Sequence, residues 1–262
     1  MRACLLMVAA AAAFAKTYPV DGIVLALDPA ARTILVSHRP IARYMPAMVM
    51  PFRVDQLVDL ATLYPGARVQ FDLVIANHRS LARNLRKAAG PDAAIPAPKE
   101  RLHVGDGLPE FRLTDQSGGA VELADLRGKV VAIDFIYTRC PLPDVCPRLS
   151  ANFATLQRRF HGRDVILLSV TVDPDYDTPA VLAGYGQRWA ADPSQWRFLT
   201  GDVGPLAAAL GEVYWTDEGS IGHNSTTSII DRQGRIAAVV EGFQYRIDQL
   251  EHLIARELEK PQ

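Results

Sequence analysis

Cysteine is scarce in this chain: three in 262 residues, one of them, Cys4, close to the start. A dense disulfide framework is thereby excluded. Long apolar runs are equally rare. Residues 1–15, MRACLLMVAAAAAFA, hold one basic residue, a short apolar stretch and a small-residue end at Ala13-Phe14-Ala15. That pattern reads as a secretory signal, too short to span a bilayer, and no second segment of spanning length follows it. The expected mature chain starts near Lys16 in an oxidising, periplasmic compartment, with an uncleaved signal acting at most as a loose tether. A surplus of either charge is missing too, with 28 basic against 29 acidic residues. Without a basic cluster set among aromatics, no nucleic-acid partner is expected. There is no internal repeat, and 49% apolar content is enough to fill two cores.

So few cysteines make the placement of the remaining two informative. Residues 130–149, VVAIDFIYTRCPLPDVCPRL, open with an apolar, β-branched run that predicts a buried central strand, and a proline-started helix follows. Cys140 and Cys146 lie between them. In a continuous helix, positions six apart are separated by about 9 Å of rise, beyond the roughly 7 Å limit for a disulfide between Cα atoms. Pro141 and Pro143 exclude that helix and let the loop fold back. Cys146 is then expected at the helix start, with Pro147 at the first helical position. Backbone N–H groups there, with Arg139 and Arg148 nearby, are expected to favour a thiolate at Cys146. Two such sulfurs form a redox-active dithiol or hold a soft metal.

Methionine is the second scarce residue. Outside the leader only Met45, Met48 and Met50 occur, in the segment HRPIARYMPAMVMPF that starts at His38. Around it, residues 20–27, 33–37, 47–54, 68–76 and 80–87 read as short antiparallel strands, with a brief helical connection at 55–63. Five strands in so short a chain predict a small all-β barrel over residues 17–88. Met48 and Met50, spaced i, i+2, face one side of a strand. Either they fill the barrel core, or, with His38, they form a neutral, soft site selective for Cu(I) over zinc. These residues resemble the periplasmic copper-binding CusF family, whose barrel holds Cu(I) with one His and two Met. The resemblance implies His38, Met48 and Met50 as ligands. Met45 stands where that family has a tryptophan and is a possible further thioether, with Tyr44 beside it.

Residues 89–101, AGPDAAIPAPKER, read as a stiff Pro/Ala linker. From residue 102 the pattern becomes mixed α/β. A hairpin (111–113 and 121–123) precedes the strand at 130–137. A helix (147–160), a strand (165–172), a second helix (179–189), a strand (197–199) and a short helix (203–210) follow. A second hairpin (226–230 and 236–240) and a last helix (247–258) close the domain. A central sheet with helices on both faces and thiols at a strand-to-helix turn predicts a thioredoxin-like α/β fold.

Four motifs in order, FIYTRCP, DVCP, SVTVDPDYDTP and HNSTTSIIDRQG, resemble the SCO/SenC family over residues 102–260. That family carries copper to the copper A site of cytochrome c oxidase and also has thiol-disulfide activity. The resemblance implies Cys140, Cys146 and His223 as copper ligands. It also implies cytochrome c oxidase subunit II or its assembly factors as partners, together with a copper donor protein. Five residues separate the cysteines here, where the family usually has three. Read from its own surroundings, His223 is a glycine-flanked residue of a polar loop, the kind that is most often solvated. Two thiolates and an imidazole suit Cu(I) or, with added water, Cu(II). Zinc is the lesser choice for want of a short C-x₂₋₄-C spacing.

A thioredoxin-type oxidoreductase is the competing class, and a thiol peroxidase a third. Asp134, six residues before Cys140 on the buried strand, resembles the proton acceptor of thioredoxin; without a partner its pKa is expected to rise. Against that class, no proline occurs from Leu206 to Lys260, and Thr226 stands about where thioredoxins place a cis-proline opposite their thiols. Asp173, Asp175 and Asp177 precede a helix start and read as capping residues. Trp189, Trp196 and Trp215 read as core or partner-surface residues.

Overall fold

The structure is a computed structural model that describes residues 15–76, 79–95, 101–142, 144–217 and 220–260. It forms two compact units that divide between Ala93 and Ala94. The predicted leader lies outside the described residues except for Ala15, as do residues 96–100 of the predicted linker and Pro143. Among the described residues, no helix is long and apolar enough to cross a membrane.

The first unit is all β. Its strands are β1 (Lys16–Asp28), β2 (Thr33–His38), β3 (Met48–Arg53), β4 (Arg68–Ala76) and β5 (Arg79–Lys87), in the order β3-β2-β1-β4-β5 with antiparallel pairing. A bridge between Val54 and Ala82 draws the edge after β3 towards β5 and curls the sheet into a small barrel. β1 is longer than the sequence predicted because it serves two partners: its first half pairs with β4, its second with β2. Where it changes partner, Gly22 is required, since a Cβ there would lie 2.5 Å from Val36 Cγ1 and 2.6 Å from Ser37 O. Ile34, Val36, Phe52, Phe71 and Leu73 fill the interior. The connection predicted as helical at 55–63 is a loop with one 3-10 turn, Leu60–Thr62.

The second unit runs β6 (Arg112–Asp115), β7 (Ala120–Glu122), β8 (Val130–Ile136), α1 (Cys146–Arg159), β9 (Val165–Thr171), α2 (Pro179–Arg188) and β10 (Trp196–Thr200). It continues with α3 (Gly204–Ala209), β11 (Tyr214–Asp217), β12 (Ser220–His223), β13 (Thr226–Ile230), β14 (Ile236–Glu241) and α4 (Ile247–Glu259). The main sheet has the order β14-β13-β8-β9-β10-β6-β7. β8, β9 and β10 are parallel, and the flanking ladders are antiparallel. Every residue of β8 and β9 is buried, as continuous β-branched and leucine runs at the centre of a covered sheet require. α1 and α4 pack together against β8, and α2 packs on β10. A parallel βαβ followed by an antiparallel hairpin and a closing helix is the thioredoxin-like arrangement the sequence predicts. Trp196 and Trp215 are buried, and the Trp196 indole donates to Ser169 Oγ at 3.0 Å.

One element was not foreseen. β11 and β12 pair as a separate antiparallel two-stranded sheet, which puts His223, expected in a polar loop, at the end of a strand.

Candidate metal centre

β8 ends in the sheet interior and delivers Tyr137, Thr138, Arg139 and Cys140 to its C-terminal edge, where α1 begins with Cys146. Pro147 follows in the first helical turn, where a missing N–H leaves no bond unmade. Cys140 is half-buried and Cys146 fully buried, and both are free thiols. The neighbouring Cys146 lowers the pKa of Cys140, while burial raises that of Cys146. The expectation of a thiolate at Cys146 is therefore corrected: the thiolate belongs to Cys140. Desolvation of a fully enclosed sulfur outweighs the helix N-terminus, and the charges at Cys140 and Asp134 reinforce it. Arg139 gives no help, because it pairs with Asp173 at 2.6 Å and stacks on Tyr176 at 4.5 Å.

His223 ends β12 and is buried, not solvated. The hairpin sets it opposite Tyr214 and turns its ring over Cys146, with Nε2 3.8 Å from Sγ. Tyr137 meets the ring edge-on at 6.1 Å. On its other side, Nδ1 lies 2.7 Å from Oε1 of Glu212, a buried carboxylate that sequence reasoning missed. Nothing in its surroundings marks it, since Gly211-Glu212-Val213 reads as a turn after a helix. Glu212 also accepts from Ser225 N, Thr226 N and Thr226 Oγ1 at 3.1, 2.7 and 2.7 Å. Among the described residues, no group of three His, Cys, Asp or Glu side chains is already arranged to hold a metal ion. The fold sets Cys146 against His223, and Cys140 stands in the loop before α1, close enough to Cys146 and His223 for both to lower its pKa.

Residues 100–259 match the model of the SCO1/SenC family. The chain belongs to the SCO1/SenC family. Its relatives include the SCO1 protein homolog of Bacillus subtilis, 34% identical over 93 residues that span 35% of this chain and 47% of that protein, about half its length. The thiol-disulfide oxidoreductase ResA of Bacillus thuringiensis is 27% identical over 59% of this chain and 79% of its own. The solved structure of Bradyrhizobium japonicum ScoI, which has copper bound, is 27% identical, with a TM-score of 0.50 over 58% of this chain and 99% of that one.

Beneath the thiols of this SCO1/SenC domain lies Asp134, fully buried on β8 between Thr227 and Ser169 of the neighbouring strands. Neither carboxyl oxygen has a hydrogen-bond partner of normal geometry, and burial pushes its pKa up to about 7, the Ser169 hydroxyl offsetting this only in part. Asp173 and Asp177 are buried without capping α2, whose N-cap is Thr178. Asp173 holds Arg139, while Asp177 binds the Thr138 and Thr171 side chains. Their role is structural, as expected, but it anchors the cysteine loop.

The barrel holds a second set of soft donors. His38, the last residue of β2, stands directly opposite Met48, the first of β3, and Val36 stands opposite Met50. Directly opposed residues share a face, so His38, Met48 and Met50 line the side on which Val36 is buried. His38 is 2% exposed. Its Nδ1 is 2.8 Å from Arg39 O and so carries the proton, which leaves Nε2 bare, buried and without a hydrogen-bond partner. Burial lowers the pKa of His38 and keeps the ring neutral. An orphaned imidazole lone pair beside thioethers fits a soft monovalent ion. Met45 packs against the same core from the turn it closes with Ile41. Tyr44 stacks on Tyr18 at 4.6 Å, which occupies one face of its ring. Residues 17–86 match the model of the copper binding periplasmic protein CusF.

Proposed function

We propose that this chain is a periplasmic copper carrier. It holds copper between Cys140, Cys146 and His223 and passes it by ligand exchange to the copper A site of cytochrome c oxidase, through subunit II or an assembly factor. What carries the reading is the meeting of two sulfurs and a carboxylate-held imidazole at one strand end, with Cys146 Sγ 3.8 Å from His223 Nε2. A half-buried Cys140 is the exchangeable arm: an acceptor thiol can replace it while the buried pair keeps hold. The barrel binds Cu(I) through His38, Met48 and Met50, with Met45 in reserve, and receives it from a donor protein before the dithiol does.

A second reading, thiol-disulfide exchange, is favoured by the asymmetry of the thiols. As thiolate, Cys140 attacks one sulfur of a partner disulfide and releases the other; Cys146 then attacks Cys140 Sγ and releases the first, so the partner gains two electrons as the Cys140–Cys146 disulfide closes. Asp134, poised near neutrality beneath Cys146, is suited to take the proton that Cys146 gives up. Broad peptide exchange is disfavoured, because Thr226 spends its N–H on Glu212 and cannot offer it to a substrate strand. Preparing the acceptor's cysteines and then loading them unites the two readings.

The test is metal content and X-ray absorption of protein purified from the periplasm, compared with Cys140→Ser and His223→Ala. Sulfur-bound copper that is lost in both variants supports the carrier. Metal-free protein that rapidly turns over a scrambled disulfide substrate overturns it. Cu(I) titration of the full chain with His38→Ala or Met48→Leu tests the barrel, and unchanged stoichiometry removes that site.

A further inference from the structure

We infer that Glu212 is a positioning residue: it holds His223 so that Nε2 is the metal-donor atom, and its charge favours the divalent form of the bound copper. This rests on the copper reading above. The first part follows from donor counting. Each Glu212 oxygen accepts two hydrogen bonds, Oε1 from His223 Nδ1 and Ser225 N, Oε2 from Thr226 N and Oγ1. A carboxylate only accepts, so the proton must sit on Nδ1 of the ring. In the neutral imidazole the lone pair is then on Nε2, the atom that faces Cys146.

The carboxylate cannot swing away. Glu212 N donates to Ala207 O at 2.8 Å, which ties it to α3. On either side of it, Asn224 clamps the hairpin base: Val213 N donates to Asn224 Oδ1 at 2.9 Å, and Asn224 Nδ2 donates to Gly211 O at 2.8 Å. His223 is thus set before any metal arrives, and the adjustment that completes the ligand set falls to Cys140.

Charge supplies the second part. Two thiolates neutralise a divalent ion but leave a monovalent one with a net negative charge. The Glu212 side chain, with no exposure, adds another negative charge to the same enclosed space, and among the described residues no Lys or Arg is paired with it. Its cost is larger beside the monovalent complex, so it shifts the balance towards Cu(II).

The decisive measurement on the unmodified, metal-free chain is ¹⁵N NMR of the His223 ring. A protonated Nδ1 and a bare Nε2 are expected; the opposite tautomer, or an averaged ring, overturns the positioning role. Glu212→Gln tests the charge. Cu(II) affinity is expected to fall about 10- to 100-fold, while Cu(I) affinity, measured against a chromogenic Cu(I) chelator, falls by a smaller factor. Glu212→Asp keeps the charge and should recover much of the Cu(II) preference. Equal losses for both ions, or no loss, refute the bias. Wild-type protein that binds neither ion sinks the copper reading itself, and the ring tautomer still decides whether Glu212 positions His223.

Discussion

Asp177 takes both the backbone N–H of Thr138, at 3.0 Å, and its hydroxyl, and adds the Thr171 hydroxyl at 2.6 Å. One buried carboxylate thereby ties the start of α2 to the ends of β8 and β9, two residues before Cys140. Asp177→Ala strands three donors in a water-poor site, and a loss of about 3 kcal/mol in urea unfolding is expected. Amide exchange at Thr138 and Cys140 should accelerate in parallel. Unchanged exchange there would show that the cysteine loop is held by something else.

The two thiols should differ sharply in reactivity. Cys140 is the more exposed and has the lower pKa, so iodoacetamide at neutral pH should label it first and reach Cys146 only on unfolding. Removing the sulfur that lowers the Cys140 pKa, with Cys146→Ala, should slow Cys140 labelling by about an order of magnitude. Peptide mapping by mass spectrometry reads both, and preferential labelling of Cys146 contradicts the assignment.

Asp134 sets a pH dependence of stability. Its folded pKa, about 7, lies above the unfolded value of 3.8, so the folded state binds the proton more tightly. Its contribution is fully present below about pH 4 and is lost as pH rises through 7, a change on the order of 4 kcal/mol. Asp134→Asn should flatten that part of the profile. Urea midpoints at pH 5 and pH 8 measure it, and equal slopes in both proteins would refute the buried proton.

Gly222 keeps the hairpin that carries His223. A Cβ there would lie 2.5 Å from Cε2 and Cζ2 of Trp215, a buried ring directly across the ladder. Gly222→Ala must displace Trp215 or open β11 from β12, and either moves the neighbouring imidazole. Copper affinity should fall about tenfold or more, with near-UV circular dichroism reporting the tryptophan. A variant with native affinity and spectrum would mean that the hairpin tolerates the methyl.

How much could be seen in advance follows from how far each cause reaches along the chain. The central strand was legible at 130–136 because a continuous β-branched run has few other places to go. His38, Met48 and Met50 were legible as a set because strand alternation is local, and the β2–β3 register adds only that His38 and Met48 are opposite. The β11–β12 hairpin was not legible: its residues are mixed in polarity, and it is held by Trp215, Asn224 and Glu212, whose partners lie outside any short window.

The amino-acid order by itself determined the two thiols at a strand end, the methionine cluster after His38, the thioredoxin-like succession of elements and the resemblance to a copper-carrying family. All of these depend on spacing and periodicity. Tertiary structure alone decided that Cys140 is the low-pKa thiol, that His223 is enclosed, and that Glu212 supports it. Those outcomes turn on desolvation and on hydrogen bonds between segments distant in the chain, and burial is a property of the folded whole that no local pattern carries.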